Sequence, residues 1–382
     1  MKRVLILLLG VLFATPAFAH KPSDAYLTLN RDGTALTGQW DIALRDLDLA
    51  LGLDANGDGE ITWGEVRTQH AAIAAYAMQR LAVSSAGERC ALRATGHQID
   101  THTDGAYAVL NLAGDCAGAG PTLAIDYSLL HDLDPQHRGL LNFVEAGESH
   151  SVIFSADAPR QVVGGEAGGR LVQFAAYVRE GVWHIWIGFD HILFLVSLLL
   201  PAVLVRRHGA WQPTPDFRYA FWDVFRIVTA FTVAHSLTLT LAALGLVSLP
   251  SRWVESAIAA SVVLAALNNL VPVIDRGRWV VACFFGLVHG FGFAGALADL
   301  GLPQGSLALS LAGFNVGVEL GQLAIVGVFL PVAFLIRRSW AYRHIVLTGG
   351  SAVIVAIAAV WLTERAFNIV LFPTVASSSL GS

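Results

Sequence analysis

Residues 181–205 read GVWHIWIGFDHILFLVSLLLPAVLV. The run is long and apolar enough to cross a bilayer, which takes about 20 predominantly apolar residues. Its first half nevertheless carries His184, Asp190 and His191. Ionisable groups at that depth cost several kcal/mol unless paired or hydrated. On one continuous helix the step from His184 to His191 is almost two turns, so both share a face, and Asp190 sits about 100° to one side. The stretch predicts a membrane helix with a functional polar face. Asp190 is placed either to orient an imidazole or to bind metal itself.

Further runs of the same kind occur at 220–246, 253–274, 279–298, 306–335 and 344–363. Residues 176–370 are therefore expected to form an all-α bundle of about six transmembrane helices, embedded in lipid, with 371–382 as a short tail. Bulk composition agrees. Hydrophobic residues make up 55% of the 382, charged residues 14%, and mean hydropathy is +0.58, too apolar for an ordinary soluble domain. The net charge of −5 comes without a basic stripe, which excludes nucleic acid as a partner. The sequence contains no P-loop, so ATP-driven pumping by this chain alone is not expected. Arg206, Arg207, Arg218, Arg276, Arg278, Arg337, Arg338 and Arg343 fall in one set of loops, whereas the opposite set holds only Arg252 and Arg365. The positive-inside rule puts the first set in the cytoplasm and residues 20–175 outside.

The polar residues of the other spans extend the pattern. The second span carries His235 and Ser236, the third Glu255, and the fourth His289 among small residues that let a neighbouring helix approach. In the fifth, Asn315, Glu319 and Gln322 form a stripe at i, i+4 and i+7. At about 1.5 Å per residue these groups concentrate in the outer half and middle of the bundle. Together they make a candidate metal site: His184, Asp190, His191, His235, His289 and Glu319, supported by Glu255, Asn315 and Ser236. Imidazole suits Zn, Cu, Fe and Ni alike.

The chain opens with a secretory pattern: Lys2 and Arg3, an apolar core from Val4 to Phe13, and Ala17-Phe18-Ala19 as a cleavage site. Residues 1–19 are thus expected to be a signal peptide, and His20 the new N-terminus, able to chelate Cu(II) or Ni(II) through amine and imidazole. Residues 20–175 are expected to be an exported, mainly-β domain with one helical insertion. Tyr26 to Asn30, Leu36 to Leu44, 105–113 and 122–130 read as strands, Trp63 to Leu81 as a helix, and Gly164 to Gly169 as a linker. Residues 54–65 match an EF-hand-like calcium loop. Asp54, Asn56 and Asp58 stand at positions 1, 3 and 5, Gly59 at 6, Glu60 at 7, Thr62 at 9 and the bidentate Glu65 at 12. Cys90 and Cys116 lie in the exported part, where a disulfide between them is expected. Cys283 falls in a membrane span.

Several of these segments resemble the HupE/UreJ family of membrane proteins: His184-x5-Asp190-His191, Ala234-His235-Ser236, Phe285-Gly-Leu-Val-His289-Gly and Asn315-x3-Glu319. The opening His20-Lys-Pro-Ser and Asp132-Leu-Asp-Pro-Gln-His137-Arg-Gly resemble the branch in which a periplasmic domain precedes the membrane region. The resemblance implies a bacterial inner-membrane permease for nickel or cobalt rather than an enzyme. It implies histidine coordination of the metal ion, with Asp190 and Glu319 balancing charge. Two other functions stay open. One is an intramembrane zinc-dependent hydrolase, with three histidines and a carboxylate on Zn²⁺ and one open position for water. The other is an envelope sensor or assembly protein whose main chemistry is Ca²⁺ binding. Protein partners are not specified by the sequence.

Overall fold

The structure is a computed structural model that describes residues 24–102, 105–118, 120–165, 170–274, 276–292, 304–367, 369 and 371. The expected signal peptide and His20 lie outside the described residues, as does most of the expected tail.

The first part is mainly β with some helices. In chain order it comprises β1 (Asp24–Asp32), β2 (Ala35–Ala43), α1 (Leu44–Leu51), α2 (Trp63–Thr68), α3 (His70–Met78), β3 (Leu81–Ser85), β4 (Glu88–Arg89), β5 (Ala91–His102), β6 (Gly105–Asp115), β7 (Leu123–Tyr127), β8 (Arg138–Glu145), β9 (Glu148–Phe154) and β10 (Arg160–Val163). Six strands form one sheet in the order β5-β6-β2-β1-β8-β9, and four form another in the order β10-β7-β3-β4. Alternating apolar residues of both sheets, among them Leu27, Trp40, Val83 and Ile125, meet in one core with Leu47 and Ile73 from the helices. The helix read over 63–81 ends earlier, at Met78, and breaks at Gln69. Strands β3 to β5 and β8 to β10 were not expected from the sequence. β8 pairs in parallel with β1, far away in the chain, and no local signal announces such a partner.

The second part is helical: α4 (Arg170–Ile187), α5 (Phe189–Leu199), a hairpin of β11 (Leu204–Arg207) and β12 (Ala210–Pro213), α6 (Phe217–Ala243), α7 (Ser251–Leu270), α8 (Arg278–His289), α9 (Gln304–Ile336), a π-helical stretch over Tyr342–Gly349, and α10 (Gly350–Phe367). Among the described residues four helices are long and apolar enough to cross a membrane, counting the π stretch with α10; a fifth candidate is the bent pair α4 and α5. Twelve-residue α8 is shorter than a crossing, and most of the segment between α8 and α9 lies outside the described residues.

The first span departs from its expectation. It starts at Arg170 rather than 181, and it is two helices, bent by 71° at Gly188. His184 and His191 are therefore not on one helical face. The early start was hidden by Gln173 and Glu180, whose polarity is absorbed by neighbours: Gln173 Nε2 donates to Ser310 Oγ at 3.1 Å, and Glu180 lies 3.9 Å from Arg138. Basic residues pin the loops at one end. Arg206 donates to the Pro272 carbonyl at 2.6 Å, Arg278 pairs with Asp223, and Arg337 donates to the Thr214 carbonyl at 2.9 Å.

The β part sits on the opposite end of the bundle. Tyr26, Tyr107, Leu140 and Ile153 form a shared core with Tyr177 of α4 and Leu307, Leu311 and Phe314 of α9. Ser151 and Tyr177 share a hydrogen bond of 2.6 Å across this contact. Arg138 binds Asp24, its register partner in the parallel pair, through both carboxylate oxygens at 2.9 and 3.0 Å.

Candidate metal centre in the helix bundle

Gly188 makes the centre possible. A Cβ there would lie 2.7 Å from the His184 carbonyl oxygen and 2.9 Å from His191 Nδ1, so only glycine lets the chain fold so tightly between α4 and α5. The turn folds His191 back towards His184, with ring centroids 4.6 Å apart. Asp190, in the first turn of α5, accepts the His191 backbone N–H through Oδ1 at 2.8 Å, and the same oxygen lies 2.9 Å from His191 Nδ1. A carboxylate on Nδ1 fixes the tautomer, so Nε2 presents its lone pair. That Nε2 is buried and has no hydrogen-bond partner among the described residues.

The third ring comes from α6. His235 is fully buried, and neither ring nitrogen meets hydrogen-bond geometry among the described residues; Asn315 of α9 is its polar neighbour. One ligand nitrogen from each of His184, His191 and His235 can be chosen so that all lie within 4.8 Å of one another. Two nitrogens bound to one ion at about 2.0–2.1 Å stand at most about 4.2 Å apart, so a small turn of the rings is enough to bring all three onto one ion.

His289, the last residue of α8, stands beside this group, its ring 5.1 Å from that of His191 and 4.9 Å from Phe194. Its Nε2 is 2.8 Å from Ser261 Oγ, whose single proton goes to the Ile258 carbonyl at 2.6 Å. The serine must then accept from Nε2–H, which leaves Nδ1 as the bare lone pair. Nδ1 is buried without a partner among the described residues.

The remaining sequence-predicted residues take other places. Glu319 lies outside the group of three; its Oε1 accepts from Thr229 Oγ1 at 3.0 Å, and its Oε2 is buried without a hydrogen bond among the described residues. Asn315 donates to the Leu311 carbonyl at 2.9 Å. Ser236 donates to Thr232 O four residues back at 2.7 Å, an intrahelical bond. Glu255 accepts from Ser251 Oγ at 2.6 Å, and its Oε2 is 4.0 Å from Arg365.

Close helix packing brings these side chains together. On α9, Gly313, Gly317 and Gly321 recur every four residues, and a Cβ on Gly317 would stand 2.1 Å from the Val178 carbonyl oxygen of α4. Gly290, just after α8, lies as close to His235 O, at 2.4 Å from its absent Cβ. The small-residue repeat on α9 is a signal of this close approach that stands in the sequence and was not among the expectations. The same holds for Arg365, near the end of α10.

In the β part, the loop of residues 54–65 turns its side-chain oxygens onto its own backbone. Asp54 accepts from the N–H groups of Gly57 and Gly59 at 2.7 and 2.8 Å, Asn56 from Asp58 at 2.9 Å, and Asp58 from Glu60 at 2.8 Å. Glu65 spans the loop, accepting from Ala55 N–H at 3.0 Å and Thr62 N–H at 2.8 Å. The Thr62 backbone N–H and hydroxyl hold the Glu65 carboxyl below its ordinary pKa. Gly57 and Gly59 adopt φ of +72° and +81°, open only to glycine without strain. α1 and α2 flank the loop.

Cys90 and Cys116 are joined, with Cα atoms 4.2 Å apart, and both are buried in the core. Cys283 is a free, half-buried thiol. Four of the β-part histidines are engaged locally: His102 with Asp41 at 2.9 Å, His137 with Tyr127 at 2.8 Å, and His97 stacked on His70 at 4.3 Å.

A family model described as HupE / UreJ protein matches residues 162–365, from the end of β10 through the helices to Arg365. That is more than half of the chain. No curated protein matches.

Proposed function

The chain belongs to the HupE/UreJ family of membrane proteins, and from that premise we propose that it is a permease for a divalent transition-metal ion of the nickel or cobalt type. The carrying observation is the convergence of His184, His191 and His235 inside the bundle, with ligand atoms within 4.8 Å of one another. Neutral imidazoles bind borderline divalent ions, and a site without a coordinating thiolate lets the ion leave again. Asp190 orients His191. His289 offers its Nδ1 at the flank, and Glu319 balances charge further along α9. Uptake of Ni²⁺ or Co²⁺ into proteoliposomes should fall at least tenfold in His191→Ala, in line with losses of about 10–100-fold for disturbed metal sites. Unchanged uptake would sink the proposal.

The broader organisation belongs to the same proposal. The bent pair α4 and α5, and the short apolar α8, complete six crossings. The basic loops face the cytoplasm, and the β part, residues 20–175 after removal of 1–19, lies in the periplasm of a bacterial inner membrane. The loop at 54–65 binds Ca²⁺ through Asp54, Asn56, Asp58, the Glu60 carbonyl, Thr62 and Glu65. The inward-turned carboxylates and the positive-φ glycines support that donor set. Calcium should raise the melting temperature of the wild type, whereas Glu65→Gln should abolish the shift and leave Co²⁺ uptake intact. A calcium shift that survives in Glu65→Gln would exclude the loop.

Three imidazoles, one of them oriented by a carboxylate, also form a donor set for hydrolytic zinc. Metal retained through chelator washing, with no uptake, would favour that second reading.

A further inference from the structure

Arg365 ligates no metal, yet it stands at the edge of the histidine centre. It lies near the end of α10, with its side chain 15% exposed. Its Nη1 is 3.8 Å from Asp190 Oδ2, and its Nε is 4.0 Å from Glu255 Oε2 on α7. Nη1 also donates to the Glu255 carbonyl at 3.4 Å. Both carboxylate contacts are longer than a charge-assisted hydrogen bond, so the guanidinium is suspended between two anions rather than locked to either. Asp190 divides its two oxygens in the same manner: Oδ1 faces His191 and Oδ2 faces Arg365. The neighbouring Arg252 donates to the Ala366 carbonyl and caps the helix that carries Arg365.

We propose that Arg365 is the resident counter-cation of the histidine centre. With the centre empty it balances Asp190. When a divalent cation enters, like-charge repulsion pushes the guanidinium towards Glu255, and Asp190 turns its charge to the ion through His191. Affinity is then set by how Arg365 is shared between the two carboxylates, which keeps a site of three imidazoles loose enough to release its ion. The inference rests on the reading of the centre as a divalent-cation site.

The two sides of Arg365 carry opposite signs. Arg365→Gln leaves Asp190 uncompensated, so the centre should hold a cation more tightly and release it more slowly. Glu255→Gln removes the alternative partner, leaves Arg365 on Asp190, and should weaken binding. A purely structural role for the trio would weaken binding in both.

The test uses the full chain in detergent, titrated with Co²⁺, whose visible bands report imidazole ligation, and parallel Co²⁺ uptake into proteoliposomes. The expected result is a Kd about tenfold lower for Arg365→Gln, with lower KM and lower turnover, and about tenfold higher for Glu255→Gln. Arg365→Lys should stay within about threefold of the wild type, because the charge is retained. Equal or weaker binding in Arg365→Gln overturns the inference while wild-type Co²⁺ bands keep the centre. No Co²⁺ bands in the wild type overturn both. Should Arg365→Gln fail to fold, Glu255→Gln decides: unchanged or tighter binding overturns the inference.

Discussion

Single side chains in this protein are placed by what their second atom does. His191 exposes Nε2 because Asp190 occupies Nδ1, and His289 exposes Nδ1 because Ser261 occupies Nε2. The residue types were legible in the sequence; the free nitrogens were not, since they depend on partners from other helices. The Asp132–Gly139 segment shows the same logic in the β part. His137 is buried against the Tyr127 ring, Arg138 holds Asp24, and Gly139 leaves room for that ring, because a Cβ would lie 2.5 Å from Tyr127 Cζ. Burial pushes the His137 pKa down to about 3 and that of Tyr127 well up, so both are neutral and share a hydrogen bond of 2.8 Å between the phenol and Nε2. Protonation therefore favours the unfolded chain, where a histidine titrates near its ordinary 6.5. The stability from neutral His137 is fully present above about pH 6.5 and is lost as pH falls towards 3, a change of a few kcal/mol at roughly 1.4 kcal/mol per pKa unit. Thermal unfolding of the full chain should show this decline, and His137→Gln should flatten it. An equally steep decline in the variant would refute the assignment.

At the scale of elements, the bent pair α4 and α5 matters most. Hydropathy predicts one span, because a glycine inside an apolar run does not reveal a 71° bend. The bend is a packing outcome. α4 lies so close to α9 that Gly181 and Gly317 share the contact, which leaves α5 to start in a new direction from Gly188. Gly317→Val should disturb this contact, since its Cβ would meet the Val178 carbonyl oxygen at 2.1 Å. Overpacking of this kind costs about 1–3 kcal/mol. The melting temperature in detergent should fall, and Co²⁺ uptake should fall with it as His184 moves relative to His235. A variant with wild-type melting and uptake would show that the close approach is not needed. The strands of the β part divide along a similar line. β1, β2, β6 and β7 were readable from their alternation and turns, whereas β8 was not, because its pairing with β1 is parallel and distant in sequence.

Across the whole molecule, the β part and the bundle share a buried contact beside the centre, where Phe314 lies 5.2 Å from the His184 ring. Arg138 is bound to Asp24 and lies 3.9 Å from Glu180, which precedes His184 by about one helical turn. Removing one partner of a buried ion pair costs about 3–5 kcal/mol, because the remaining charge is stranded. Arg138→Ala should therefore lower the melting temperature strongly, and the triple variant with Asp24→Asn and Glu180→Gln should recover part of the loss. Failure of the triple variant to recover would mean that stranded charge is not the cause. The sequence by itself determined the membrane character, the mainly-β first part, the family resemblance, and which residue types carry polarity into the bundle. Composition, apolar run length and motif spacing are properties of the chain alone. Only the tertiary structure decided that His184, His191 and His235 converge, that Glu319 stands apart, and that Arg365 faces Asp190. Those juxtapositions join helices far apart in sequence: the glycine repeat that permits a close approach is local, but which helix it meets is not.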